Sequence, residues 1–113
     1  MDVDGLTVLS LTEAAQRLGT SPNGVRSMVK DGLLLAVRRE GVGLVVPEAQ
    51  LDGDHPVKHL RGVLTLLHDA GYDAEQSLRW LTTPDDTLPG TPLQALHENR
   101  ATEVKRRAQA LGF

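Results

Sequence analysis

The sequence predicts a mainly α fold carrying one small β-hairpin, with a helical extension behind it. Three observations predict this. Residues 11–32 hold two short stretches of helical apolar period, each set off by capping residues and a closing glycine. Residues 33–47 change to β-prone Leu and Val runs on either side of Gly41 and Gly43, the pattern of a hairpin. From residue 58 onward the helical period returns, broken by a turn-rich loop. A chain of 113 residues suits one domain, or a small domain with an appendage. The expected division is 1–51 and 57–113, with Asp52-Gly53-Asp54-His55-Pro56 as the boundary loop and the second part packed on the first.

Taken in order, residues 1–10 are expected to open with a short disordered tip. Leu6, Val8 and Leu9 then either pair with the hairpin as a strand or pack as an arm. Thr7, Ser10 and Thr12 serve as caps and surface groups or as phosphate acceptors. Thr12 is the expected N-cap of the first helix, with Ala14, Ala15 and Leu18 on its inner face. Gly19 ends that helix, because glycine takes the left-handed cap conformation without steric cost. Ser21 caps the second helix and Pro22 suits its first turn, where the missing N–H is no loss. Val25, Met28 and Val29 make its buried stripe, and Gly32 closes it. Leu33–Val37 and Leu44–Val46 are the expected hairpin strands, Pro47 ends the second, and Glu48–Leu51 can form one helical turn.

In the second half, Lys58–Ala70 reads as a helix through Leu60, Val63, Leu64 and Leu67, with Leu66 widening the apolar face and Gly71 at its end. Asp73 caps a helix reaching about Leu81, with Ala74, Leu78 and Leu81 inward and Tyr72 stapling its start. Trp80 is either core filler or an exposed anchor. Thr83–Gly90 is a loop. Thr91-Pro92 repeats the cap-plus-proline start and leads a short helix to about His97. A last helix, about Ala101–Leu111, turns Val104, Ala108 and Leu111 to one side.

Composition excludes several classes. The chain has no cysteine, so it holds no disulfide and no thiolate metal site, in keeping with a reducing cytoplasm. No apolar run approaches the ~20 residues of a membrane span, and the acidic start Met1–Gly5 does not read as a signal peptide. Phe113, Tyr72 and Trp80 are the only aromatics, so the core must be mostly Leu, Val and Ala. The glycines near Gly41 lack the context of a nucleotide loop. His55 and His59 stand at a metal-binding spacing without a third ligand nearby, and read as surface histidines. Asp85-Asp86 pairs two carboxylates, but in a turn where Asp caps backbone. No cofactor, metal or catalytic constellation is expected, and no enzymatic activity.

The polar face of the second helix points to a different chemistry. Ser21, Asn23, Arg26, Ser27 and Lys30 are left facing water. A DNA major groove admits one helix, and its base edges are read by these residue types: Arg pairs with guanine and Asn with adenine, each through two hydrogen bonds. Ser21 and the N–H groups beside it suit a phosphate, and Lys30 suits the backbone. Arg38 and Arg39 stand where a hairpin can reach phosphate or the minor groove. The net charge of −3 opposes this, but its distribution does not. Between residues 17 and 39, Arg17, Arg26, Lys30, Arg38 and Arg39 stand against Asp31 alone, a local +4. Modest affinity and steep salt sensitivity are expected. The plain alternative is a helix pair serving only as a packing unit with a solvated polar face. Arg100, Lys105, Arg106 and Arg107 form a second basic cluster, read as a solvated face or as a backbone or partner contact.

Leu11-Thr12-Glu13-Ala14-Ala15, Leu18-Gly19-Thr20-Ser21, Val25, Gly32-Leu33, Ala36-Val37-Arg38 and Pro47 together resemble the winged helix-turn-helix of excisionase and MerR-type DNA-binding families. The wing, residues 38–44, is less basic than in many of them. Trp80-Leu81-Thr82-Thr83-Pro84-Asp85-Asp86, Leu88, Gly90-Thr91-Pro92-Leu93 and Leu96 are similar to the C-terminal toxin-binding domain of Xre-type antitoxins, with Asp85 where that family usually has Asn. The two halves together, with Leu66–Tyr72 and Arg106–Ala110, resemble an actinobacterial family of small winged-helix DNA-binding proteins described from mycobacteria. The resemblances imply double-stranded DNA as partner, a transcriptional or chromosomal role in the cytoplasm at the nucleoid, and control by Ser/Thr kinases in some members. They also raise an alternative, an antitoxin-like or scaffold module binding a toxin-like protein through Trp80, Leu93, Arg106 and Arg107. No heptad pattern supplies a coiled coil, which leaves a homodimer open.

Overall fold

In the computed structural model, which describes residues 1–112, the chain opens with a hairpin rather than a disordered tip. β1 (Asp2–Val3) pairs antiparallel with β2 (Leu6–Ser10). Asp4 and Gly5 turn between them with φ of 54° and 78°. Two consecutive left-handed residues give the tight turn whose twist matches its strands, and Asp-Gly is among its preferred pairs. The Thr7 hydroxyl adds a 2.8 Å bond to the Asp2 carboxylate.

The first helix, α1 (Leu11–Leu18), is capped by Ser10 and not by Thr12. The Ser10 hydroxyl accepts from the Glu13 N–H at 3.1 Å, and the Ser10 N–H donates to the Glu13 carboxylate at 3.0 Å. Glu13 lies three residues beyond Ser10, the spacing at which two orphan donors are satisfied together. Gly19 closes the helix with φ of 68°. In α2 (Pro22–Lys30) Ser21 caps as its sequence predicts, accepting from the Gly24 N–H at 3.0 Å. Val25 is fully buried and Met28 and Val29 are half-buried.

The first hairpin strand is shorter than its β-prone run. β3 is only Val37–Arg39, against β4 (Gly43–Pro47). Residues 33–36 pass instead through the apolar core, and Gln50 explains how. Its buried amide donates to the Leu35 carbonyl at 2.7 Å and accepts the Leu35 N–H at 2.8 Å, so a side chain replaces the strand partner. β2 settles on β4, with Val8 opposite Pro47 and Ser10 opposite Val45. The sheet therefore has four strands in the order β1-β2-β4-β3, larger than a bare wing. A 3-10 turn at Glu48–Gln50 follows. The expected loop at 52–56 is a second small hairpin, β5 (Leu51–Asp52) with β6 (His55–Pro56). Ala14, Ala15, Val25, Leu34, Ala36, Val46 and Leu51 make the core of this unit, which ends after Pro56.

The second unit, from Val57 onward, is helical. α3 (Leu60–Asp69) starts two residues later than its pattern suggests, after His59 in the left-handed region at φ of 72°. α4 (Ala74–Thr82), α5 (Pro92–His97) and α6 (Ala101–Ala110) follow. Asp73 with Gln76 and Thr91 with Gln94 form reciprocal caps like that of Ser10 with Glu13. On α4 the inward set is Ser77, Leu78 and Leu81, and Ala74 is exposed, because the helix turns its first residue away from the core. Val63, Leu67, Leu81, Leu88, Leu96 and Val104 are buried at its centre. Of the three aromatics, Tyr72 and Trp80 are half-buried, and Phe113 lies outside the described residues.

Candidate nucleic-acid interface

The polar face of α2 is what the folding of the first unit leaves over. Val25, Met28 and Val29 turn to the core, so Asn23, Arg26, Ser27 and Lys30 are left exposed, as is Ser21 at the cap. Arg26 and Lys30 make no ion pair among the described residues, although Asp31 follows directly. The N-terminus of α2 carries no acid in its first turn, unlike that of α1, where Glu13 sits. The positive end of α2 therefore has no carboxylate beside it, which favours an anion there, although Pro22 has no N–H and that of Gly24 is held by Ser21. Ser21 uses its oxygen to accept from Gly24, and its hydroxyl proton remains available to donate.

The wing separates its two arginines. Successive side chains of a strand point to opposite faces. Val37 and Arg39 share the inner face and Arg38 the outer, so Arg38 is exposed while Arg39 is half-buried. Arg39 donates to the Arg38 carbonyl at 2.8 Å and lies 3.9 Å from the Asp4 carboxylate of the first hairpin. Val42 at the wing tip is exposed between Gly41 and Gly43.

A third cation counted in the local charge is occupied. Arg17 donates to the Gly53 carbonyl at 2.8 Å and to the Glu48 carboxylate at 3.0 Å. It fastens the β5–β6 hairpin to α1 and is a structural cation. Sequence reasoning missed this, since Glu48 and Gly53 are more than thirty positions away.

The residues singled out in the second unit fall into different environments. Leu93 is buried, so a substitution there tests the core. Arg107 donates to the Thr87 hydroxyl at 2.8 Å and to the Thr87 carbonyl at 3.0 Å, while Arg106 is exposed. Arg100 is bound to the Leu88 carbonyl and to Glu98. Trp80 stands at the surface, half-buried. His55 contacts the Pro56 carbonyl and His59 approaches Lys105.

Two family descriptions match parts of the chain. Residues 2–51 match the wHTH domain of the family "DNA-binding protein Rv2175c", and residues 57–112 match the Rv2175c C-terminal domain of unknown function. DNA-binding protein Rv2175c of Mycobacterium tuberculosis is 40% identical over 116 residues, covering 91% of this chain and 79% of that protein. The chain belongs to the Rv2175c family. The NMR structure of Rv2175c superposes with a TM-score of 0.88 at 37% identity, covering 100% of this chain and 85% of the other. The expected mainly α fold with a winged helix-turn-helix and a helical extension is thus the fold of the Rv2175c family.

Proposed function

We propose that this chain binds double-stranded DNA through α2 and the β3–β4 wing, and acts as a transcriptional or chromosomal regulator. The carrying observation is a helix that presents Asn23, Arg26, Ser27 and Lys30 to solvent from an acid-free N-terminus, in a domain of the Rv2175c winged-helix type. With α2 in the major groove, Arg26 pairs with guanine O6 and N7, and Asn23 with adenine. The Ser21 hydroxyl and the Asn23 N–H, at the positive end of α2, hold a phosphate, which fixes the register. Lys30 and Arg38 neutralise further phosphates, Arg38 from the outer face of the wing. Arg39 contributes less, because it is turned toward Asp4. DNA binding would place the protein in the cytoplasm at the nucleoid.

The test is a fluorescence-anisotropy titration of random duplex DNA with wild type and the Arg26→Ala/Arg38→Ala variant at two salt concentrations. Salt-sensitive binding by wild type, weakened about tenfold or more in the variant, is the expected result. No wild-type binding at low salt would overturn the reading.

A further inference from the structure

The core of the second unit is Leu, Val and Ala, and neither Tyr72 nor Trp80 belongs to it. Both are half-buried at the surface, where they line two adjoining recesses that share Trp80 and Thr83. In a chain with three aromatic residues, two at one surface groove is a departure from their usual use as core filler. Aromatic side chains concentrate at protein interfaces, where they supply large contact area at small entropic cost.

The larger recess has a volume of about 410 Å³ and is lined by Trp80, Thr83, Pro84, Asp85, Asp86 and Pro92. Its wall is held in place before anything binds. The Asp85 carboxylate accepts from the Thr87 N–H at 2.8 Å and from its hydroxyl at 2.6 Å. The Asp85 N–H donates to Gly90, and Arg107 grips Thr87 from α6. A preformed wall spares a ligand the cost of ordering the loop. The hydrogen bonds from Thr87, side chain first and backbone second, hold the Asp85 carboxyl below its ordinary range, so it stays ionised.

An indole face, two prolines and two carboxylates select a side chain with an apolar stem and a cationic head. We propose that this groove docks a basic segment of a partner protein, seating an Arg or Lys side chain against Trp80 and the Asp85–Asp86 pair. Cations stack on Trp more strongly than on the other aromatic rings. The cations around the recess fit this polarity. Arg107 is committed to Thr87, and Arg79 lines the smaller recess, where it disfavours a second cation. Nucleic acid does not fit, because its phosphates would face both carboxylates. The inference is independent of DNA binding by α2.

The experiment pans a library of random heptapeptides against the full chain. Enriched peptides are then synthesised and titrated, with the emission of Trp80, the chain's only tryptophan, as readout. Peptides enriched in Arg or Lys that perturb this emission are expected. Trp80→Ala, which removes the emitting group and is titrated instead by the anisotropy of a fluorescein-labelled peptide, should weaken them about tenfold, and Asp86→Asn about three- to fivefold. Asp86→Lys should abolish binding while leaving thermal melting and the DNA titration as in wild type; Asp86 is exposed, so folding does not depend on it. Acidic or purely apolar winners, no enrichment over the Asp86→Lys control, or unchanged affinity in that variant would overturn the proposal. Self-association of wild type that Asp86→Lys abolishes would assign the groove to a second copy and overturn it equally.

Discussion

Gly24 shows how a single residue can reverse a general rule. Ala inside a helix is ordinarily worth about 1 kcal/mol more than Gly. A Cβ at Gly24, however, would lie 2.0 Å from the Thr20 hydroxyl oxygen and 3.1 Å from the Thr20 Cβ, and a threonine is too short and stiff to swing clear. Gly24→Ala should therefore destabilise the first unit, and Gly24→Ala with Thr20→Gly should recover the ordinary helical gain. Urea unfolding of the four members of the cycle measures the coupling; strictly additive effects would mean that Thr20 relaxes at no cost. Gln50 is a second such case. Gln50→Leu keeps volume but strands the N–H and carbonyl of Leu35, at a cost of about 1–3 kcal/mol in the same measurement. Neither residue announced its role in the sequence. Gly24 has no side chain to signal a role, and Gln50 reads as part of a helical turn, because each acts through a neighbour that only the fold supplies.

At the scale of the element, α1 depends on a reciprocal cap. Ser10→Ala should cost about 1 kcal/mol. The cap also carries a pH dependence whose sign can be fixed. The Ser10 N–H, and then the Ser10 hydroxyl, hold the Glu13 carboxyl below its ordinary value. A carboxyl depressed in the folded state adds stability above its unfolded pKa and loses it as pH falls through the folded one. Wild type should therefore lose this part of its stability on acidification below the usual glutamate range. Glu13→Gln, whose amide can still accept from Ser10, should lack that component, as read by thermal melting between pH 6 and pH 3, a window set by the ~4.3 of free glutamate. The helices of this protein were legible because they are written in local signals: Ser21-Pro22, Asp73 with Gln76, Thr91-Pro92 and Gly19 act within four residues. The first helix start was misplaced by two because Ser10 and Thr12 are both capping residues, and the position of Glu13 decides between them. The strands were less legible. β1 hides in an acidic stretch whose Asp4-Gly5 turn is the only cue, and residues 33–36 look like a strand, but Leu35 finds its partners in Gln50 and the Leu33 N–H in the Met28 carbonyl.

For the whole molecule, the question is how a chain of net charge −3 holds a polyanion. Composition counts five cations between residues 17 and 39, but the fold does not leave all five for a ligand. Arg17 is bound to Glu48 and Gly53, and Arg39 is turned toward Asp4. Arg26, Lys30 and Arg38 remain exposed. Each phosphate neutralised releases counterions, so the two contacts assigned to Lys30 and Arg38 predict that log K falls against log salt with a slope of about −1.8. Arg38→Ala should make the slope shallower by about 1, and Arg26→Ala, if it reads a base, should lower affinity with a smaller change in slope. Arg17→Ala is the control that separates charge from structure. It removes the same charge, yet should leave the slope unchanged while loosening the β5–β6 hairpin, seen as faster amide exchange at Asp52–His55. Anisotropy titrations at four or more salt concentrations decide the matter. A wild-type slope much steeper than two contacts allow would bring exposed cations of the second unit, Arg106 first, into the DNA contact. A slope near zero would remove the phosphates from the account, and with them DNA as the partner of α2.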